Sequence, residues 1–420
     1  MSCISVTVMS GQQPTGYAGQ PSPLRHLPPG EPLSGDEGTR SRPTGRHAGR
    51  TTTRPAIRTW ILLGVALAGF SVAALVIATY LGAALGVQTA LFAVLLAALP
   101  LGVVIPTFLW LDRFESEPTR YLVLAFLWGA LVASVLAAVF NTGAVDVFRS
   151  STDPNAALAT TAVFVAPFIE EALKALPVVF AWVLLKGEFD GMTDGMVYAG
   201  ISAAGFAFTE NIQYLGMAYT SGGQAALGAT FVSRCVMSPF AHPMFTVLTG
   251  IGLGVAATAR SRLPRILAPL AGYLLAVVAH ALWNVAAITG GSGLLVVYLL
   301  VEVPVFLAFV GLIVWARRHE GRLIGRFLRP YADAGWLSPS EVAMLSSMAR
   351  RREARMWARA NTGRAGLAAM RDFQDLASEL ALLRRRMSHS AADAHALEGE
   401  RDLLDALVIR RRTFLGLPIT

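Results

Sequence analysis

The stretch Pro167-Phe168-Ile169-Glu170-Glu171-Ala172-Leu173-Lys174 decides how the whole chain reads. It interrupts an otherwise apolar run over residues 157–185, long enough to cross a bilayer. An ionised side chain near the bilayer centre costs about 2.5–3.5 kcal/mol on the insertion scale. Two glutamates and a lysine at that depth therefore call for a reason. Glu170 and Lys174 are four apart and share a helix face, so a charge-paired helix contact is the purely structural reading; Glu171 points about 100° away. Two adjacent carboxylates in low dielectric repel, leaving one able to hold a proton and the other to accept one.

Composition supports a membrane setting. Hydrophobic residues make up 54% of the 420 and the mean hydropathy is +0.53. The net charge of +8 gathers in the N-terminal segment, alternate loops and the C-terminal region. In a polytopic chain that pattern means orientation rather than nucleic-acid binding. No Gly-rich phosphate loop, nucleic-acid motif or internal repeat is present. The two cysteines, Cys3 and Cys235, are placed for neither a structural disulfide nor a cysteine-based metal site.

Outward from the central stretch, apolar run length predicts an all-α polytopic bundle of about eight transmembrane helices. Their limits are 57–81, 88–111, 120–142, 157–185, 192–219, 227–258, 266–288 and 293–316. Ser238-Pro239 and His242-Pro243 predict a kink in the sixth. Basic residues lie before span one, in alternate loops and after span eight; Arg149 is the exception. Both termini are then expected to be cytoplasmic, in the cytoplasmic membrane, and the even span count agrees. The expected domains are a disordered tail over 1–54, with no cleaved signal peptide, a membrane domain over 55–317, and a basic cytosolic helical region over 318–420. In the last, Ser338-Pro339-Ser340-Glu341 starts a helical segment reaching about residue 386, and a second runs over 393–414. That pair reads equally as a solvated hairpin and as a surface lying on anionic lipid.

Further polar residues sit where spans normally avoid them: Glu210 and Asn211 in the fifth, Arg234 and His242 in the sixth, His280 and Asn284 on one face of the seventh. At about 1.5 Å rise per residue, Glu210 and His280 lie roughly 12–15 Å from the outer end, and Glu170 and His242 roughly 20 Å. All four can meet in one layer. Each residue also has a structural reading: a neutral core histidine, a filled kink, an interhelical hydrogen bond, and for Arg234 a counter-charge to a glutamate. Two imidazoles and carboxylates suit zinc, with Glu210, His242 and His280 as its ligands. Without metal, a glutamate activates water directly, with His280 and Asn284 stabilising the developing charge. Both routes lead to hydrolysis, most plausibly of a peptide bond. The other class is a proton- or ion-coupled transporter, whose usual internal repeat is missing.

The set Glu170-Glu171-x-x-Lys174, Asp190-Gly191-x-x-Asp194-Gly195-x-x-Tyr198, Phe206-x-x-x-Glu210-Asn211, His242 and His280-x-x-x-Asn284 resembles the PrsW family of intramembrane proteases, within the wider CAAX-processing type. The resemblance covers about residues 60–315. It implies a catalytic chamber within the bilayer, Glu170 as the water-activating base with Glu171 and Lys174 beside it, and His280 and Asn284 as the third motif. Glu210 stands where the wider group has a histidine. The implied substrates are membrane-anchored proteins, anti-sigma factors among them. Neither the metal question nor the oligomeric state follows from the resemblance.

Overall fold

In a computed structural model, residues 57–114, 116–185, 189–289, 291–388 and 394–418 are described. The expected tail over 1–54 lies outside them. Every regular element among them is helical. Contacts divide the chain into a unit ending at Glu320 and a unit over Gly321–Thr420.

The first unit opens with α1 (Ile57–Leu85), α2 (Val87–Ala98) and α3 (Leu101–Leu111). Next come α4 (Thr119–Leu127) and α5 (Ser134–Arg149), joined through a π-helical turn over Trp128–Ala133. α6 (Pro154–Thr160) and α7 (Ala166–Leu184) are likewise joined through Thr161–Val165. α8 (Met192–Phe231), α9 (Ala241–Thr258), α10 (Arg262–Thr289), α11 (Gly291–Val297) and α12 (Val303–Asp333) complete the series, the residues of α12 after Glu320 belonging to the second unit. Six stretches are long and apolar enough to cross a membrane, and one of them, Met192–Thr258, runs to 67 residues. At 1.5 Å per residue a single crossing needs about 20, so this stretch is two crossings, α8 and α9. α7 falls outside the six because Glu170, Glu171 and Lys174 make it too charged, although it fills the position expected for the fourth span. Leu67, Leu75, Leu91, Leu95, Val139 and Leu300 are exposed, as suits faces turned to lipid. The chain is thus a multi-pass membrane protein.

α8 lies at the centre of the bundle, and its residues Asp194–Phe206 are buried without interruption. Small side chains make that possible. A Cβ placed on Gly195 would stand 2.0 Å from the carbonyl oxygen of Gly250, and one on Gly250 would stand 2.1 Å from that of Gly195. α8 and α9 therefore touch backbone to backbone, the approach that small residues permit between membrane helices. Gly223, at φ 64°, turns the chain at the far end of α8. The return passes through a π turn over Val232–Met237 and breaks at Ser238-Pro239-Phe240 before α9 begins. The expected kink is thus a full interruption. Its freed carbonyls are covered by neighbours: Ser238 Oγ donates to Ser233 O (2.6 Å), and Tyr298 Oη to Met237 O (3.1 Å).

Proline shapes α7 by the same logic. Pro177 has no N–H for the carbonyl of Leu173, and Trp128 Nε1 donates to that oxygen instead (3.0 Å). One residue on, Ser202 Oγ donates to Lys174 O (2.8 Å). Pro167 likewise removes the donor that a π turn would bring to Ala162 O, five residues earlier, and Asn284 Nδ2 donates there (2.7 Å).

The second unit contains α13 (Pro339–Leu345), α14 (Met348–Met387) and α15 (Ala394–Phe414). Ser338 and Glu341 form the reciprocal cap the sequence suggests, with Glu341 N donating to Ser338 Oγ (3.1 Å) and Ser338 N to Glu341 Oε2 (2.7 Å). Arg351, fully buried on α14, donates to Leu345 O at the end of α13 (2.8 Å) and to Ser378 Oγ further along α14 (2.6 Å).

Candidate active site

The first half of α7 carries Glu170, Glu171 and Lys174 into the bundle, and all three are buried. The expected pair of Glu170 with Lys174 is loose, at 3.9 Å. Lys174 Nζ instead lies 2.6 Å from Glu171 Oε1, three residues away, and 3.1 Å from His242 Nδ1. It also stands over the Phe206 ring, 4.7 Å from its centroid. Glu171 is saturated: its Oε1 faces His280 Nδ1 at 2.9 Å, and its Oε2 accepts from Thr246 Oγ1 at 2.7 Å. Ionised carboxylates only accept, so Nδ1 of His280 carries a proton.

His242 stands in the first turn of α9, immediately after the break, where Pro243 costs no intrahelical bond. Its Nε2 is 2.7 Å from Glu210 Oε2. Glu210 in turn is paired with Arg234, whose Nε donates to Asn211 Oδ1 (2.8 Å) and whose guanidinium lies over Tyr214, 4.0 Å from the ring centroid. Arg234 is thus the counter-charge of Glu210. The two imidazoles meet edge to face with centroids 5.2 Å apart, and Phe245 stacks on His280.

Glu170 is placed differently. Its Oε1 accepts from Asn141 Nδ2 (3.0 Å), while its buried Oε2 has no hydrogen-bond partner among the described residues. His280 Nε2 lies 3.7 Å from that oxygen. Among the described residues, one group has the spacing to hold a metal: Glu170, His242 and His280, with ligand atoms within 4.8 Å of one another. Glu210, expected as a ligand, stands outside it, behind His242. Asn284, expected at an oxyanion, has its amide N–H on Ala162 O.

The structure thus brings together Glu170, Glu171, Lys174, His242 and His280, with Glu210 and Arg234 behind. It adds three residues the sequence reading passed over. Asn141 is a lone amide in the apolar α5, a signal of the same kind as the others. Thr246 and Trp128 gave none, because Thr and Trp are ordinary in membrane helices.

Residues 117–309 match a family described as PrsW family intramembrane metalloprotease. Two relatives bear the name Protease PrsW. That of Geobacillus kaustophilus (strain HTA426) is 29% identical over 167 residues, 40% of this chain and 68% of the relative. That of Clostridioides difficile (strain 630) is 31% identical over 140 residues, 33% of this chain and 55% of the relative. No solved structure matches the chain. Family and relatives alike are proteases, which leaves the transporter reading without support.

Proposed function

We propose, from the premise that this chain belongs to the PrsW family of intramembrane proteases, that Glu170 is the base that activates water for peptide-bond hydrolysis. The observation that carries this is the buried Oε2 of Glu170, an acceptor without a partner among the described residues, 3.7 Å from His280 Nε2. Water held there gives its proton to Glu170 as its oxygen attacks the scissile carbonyl carbon. The same proton passes to the amine nitrogen as the C–N bond breaks, leaving a carboxylic acid and an amine, and Glu170 is regenerated as its carboxylate.

The charges support this role. Glu170, Glu171 and Glu210 face two cations, Lys174 and Arg234. Glu171 and Glu210 each hold one closely, so the uncompensated negative charge falls on Glu170. Glu171 fixes the His280 tautomer, and Lys174 holds Glu171 and His242 in register.

The family's description as metalloproteases raises the question of a metal. Glu171 holds His280 by Nδ1 and Glu210 holds His242 by Nε2; His280 Nε2 then faces Glu170 Oε2 at 3.7 Å, and His242 Nδ1 faces Lys174 Nζ at 3.1 Å. Carboxylates behind histidines are the usual outer shell of a metal site. Tetrahedral zinc, with ligand bonds near 2.1 Å, sets its ligands about 3.4 Å apart, within small side-chain movements of this group. The donor set therefore suits zinc held by Glu170, His242 and His280, provided Lys174 Nζ withdraws from His242 Nδ1; Glu170 would then be a ligand to the metal in place of a free base. Bound there, zinc would bring the pKa of a water to about 7.

The substrates we propose are membrane-anchored proteins, anti-sigma factors among them, cut within the cytoplasmic membrane, with both termini of the enzyme cytoplasmic. Purified chain with a fluorogenic transmembrane peptide tests the reading. Glu170→Gln is expected to abolish cleavage while the protein still inserts, and retained cleavage would remove Glu170 as the base. Loss of activity on chelation and its return with zinc would establish the metal; full activity in chelator would establish the bare glutamate.

A further inference from the structure

We infer that Asn141 is a positioning residue for this reaction, holding Glu170 so that one chosen oxygen faces the reactants. The inference rests on the assignment of Glu170 above. Asn141 lies on α5, outside every motif named so far, 29 residues before Glu170. Its Nδ2 donates to Glu170 Oε1 at 3.0 Å. Carboxylate rotation about its terminal bond is soft, with broad, two-fold preferences. A glutamate held by one oxygen only through this amide owes its orientation to it. The loose Lys174 contact at 3.9 Å and the 3.7 Å separation from His280 do not replace that restraint.

A second observation points the same way. The side-chain oxygen of Asn141 is buried and, like Glu170 Oε2, has no hydrogen-bond partner among the described residues. A purely structural asparagine in a membrane core normally satisfies both ends of its amide. Here the donor end is committed to Glu170 and the acceptor end is left for a molecule that brings its own N–H or O–H. A water and a substrate amide both qualify. Asn141 thus does two things: it directs Oε2 of Glu170 toward the water to be deprotonated, and it offers that water or the adjoining amide a second acceptor.

The experiment uses the full chain in detergent with a quenched-fluorescence transmembrane peptide that the wild type cleaves. Asn141→Leu keeps the volume and removes the amide. A 10- to 100-fold fall in kcat is expected, with KM within about twofold, because a misaligned base weakens the transition state rather than binding. Asn141→His, whose Nδ1 reaches about as far as the asparagine amide, should recover at least a tenth of wild-type kcat. Unchanged kcat in Asn141→Leu, alongside an inactive Glu170→Gln, would overturn the inference and leave the base in place. Cleavage by Glu170→Gln would instead bring down the base assignment itself. Zinc titration gives a readout independent of turnover and of how well the leucine variant folds. Asn141→His should bind within threefold of wild type; Asn141→Ser, shorter and unable to reach, should bind at least tenfold more weakly. Once chelation has established the metal, equal affinity in all three proteins would overturn the inference.

Discussion

Glu171 Oε1 lies between two partners, 2.6 Å from Lys174 Nζ and 2.9 Å from His280 Nδ1. One oxygen thereby sets both the position of a buried cation and the tautomer of an imidazole. Glu171→Gln keeps the shape and removes the charge. Turnover should fall about 10–100-fold, the usual effect of losing the carboxylate behind a functional histidine, with zinc affinity falling by a similar factor if the site binds it. Steady-state kinetics and a zinc titration check both; unchanged values would mean His280 is oriented by packing against Phe245 alone.

Lys174 is fully buried, as is Glu171. Removing one member of such a pair strands the other, at a cost of about 3–5 kcal/mol. Lys174→Met should lower the thermal unfolding midpoint sharply. Lys174→Arg should not restore it, because a planar fork cannot reproduce a point charge that meets a carboxylate, an imidazole and a ring face together. A midpoint within a degree of wild type for Lys174→Met would refute this.

Gly195 and Gly250 leave no room for a methyl group. Alanine at either forces α8 and α9 apart and should cost at least about 1–3 kcal/mol, the usual range for overpacking. Cleavage should drop with it, since His242 and Glu210 sit on these two helices. Gly64→Ala, with nothing within 4 Å of its would-be Cβ, is the matched control and should change neither.

Asp112 follows the last residue of α3 and lies outside the membrane stretches. Burial pushes its pKa from 3.8 up to about 8; the Glu117 N–H on Oδ2 (2.9 Å) pulls it down, and the Glu117 and Glu320 carboxylates push it further up. The folded state therefore holds this proton more tightly than the unfolded chain. Its contribution to stability is full below about pH 4 and is lost as pH rises toward about 8, with a slope of up to about 1.4 kcal/mol per unit. Asp112→Asn should flatten that part of the profile of melting midpoint against pH; an identical profile would show that other groups set it.

Much of this site could be read before any coordinates, since charge inside an apolar run is conspicuous. Glu170, Glu171, Lys174, Glu210, His242 and His280 announce themselves for that reason, and depth counting puts them in one layer. Spacing along a helix could not tell which partner each would take. Lys174 meets Glu171 rather than Glu170 because His242 and Phe206, from other helices, set where the ammonium goes. Asn284 shares a face with His280, yet its amide meets a carbonyl released by Pro167, a demand visible only once α7 and α10 are placed side by side. Helix ends were easier to place: the chain turns at Gly223, between the spans expected over 192–219 and 227–258.

The contact of Gly195 with Gly250 acts as a fixed gauge for the enzyme. Two main chains pressed together cannot yield the way interlocked leucines can, so the gap spanned by Glu210 and His242 is set by peptide geometry. The outer wall of the bundle can then change its residues, or meet a thicker or thinner lipid layer, without altering the spacing between Glu210 and His242.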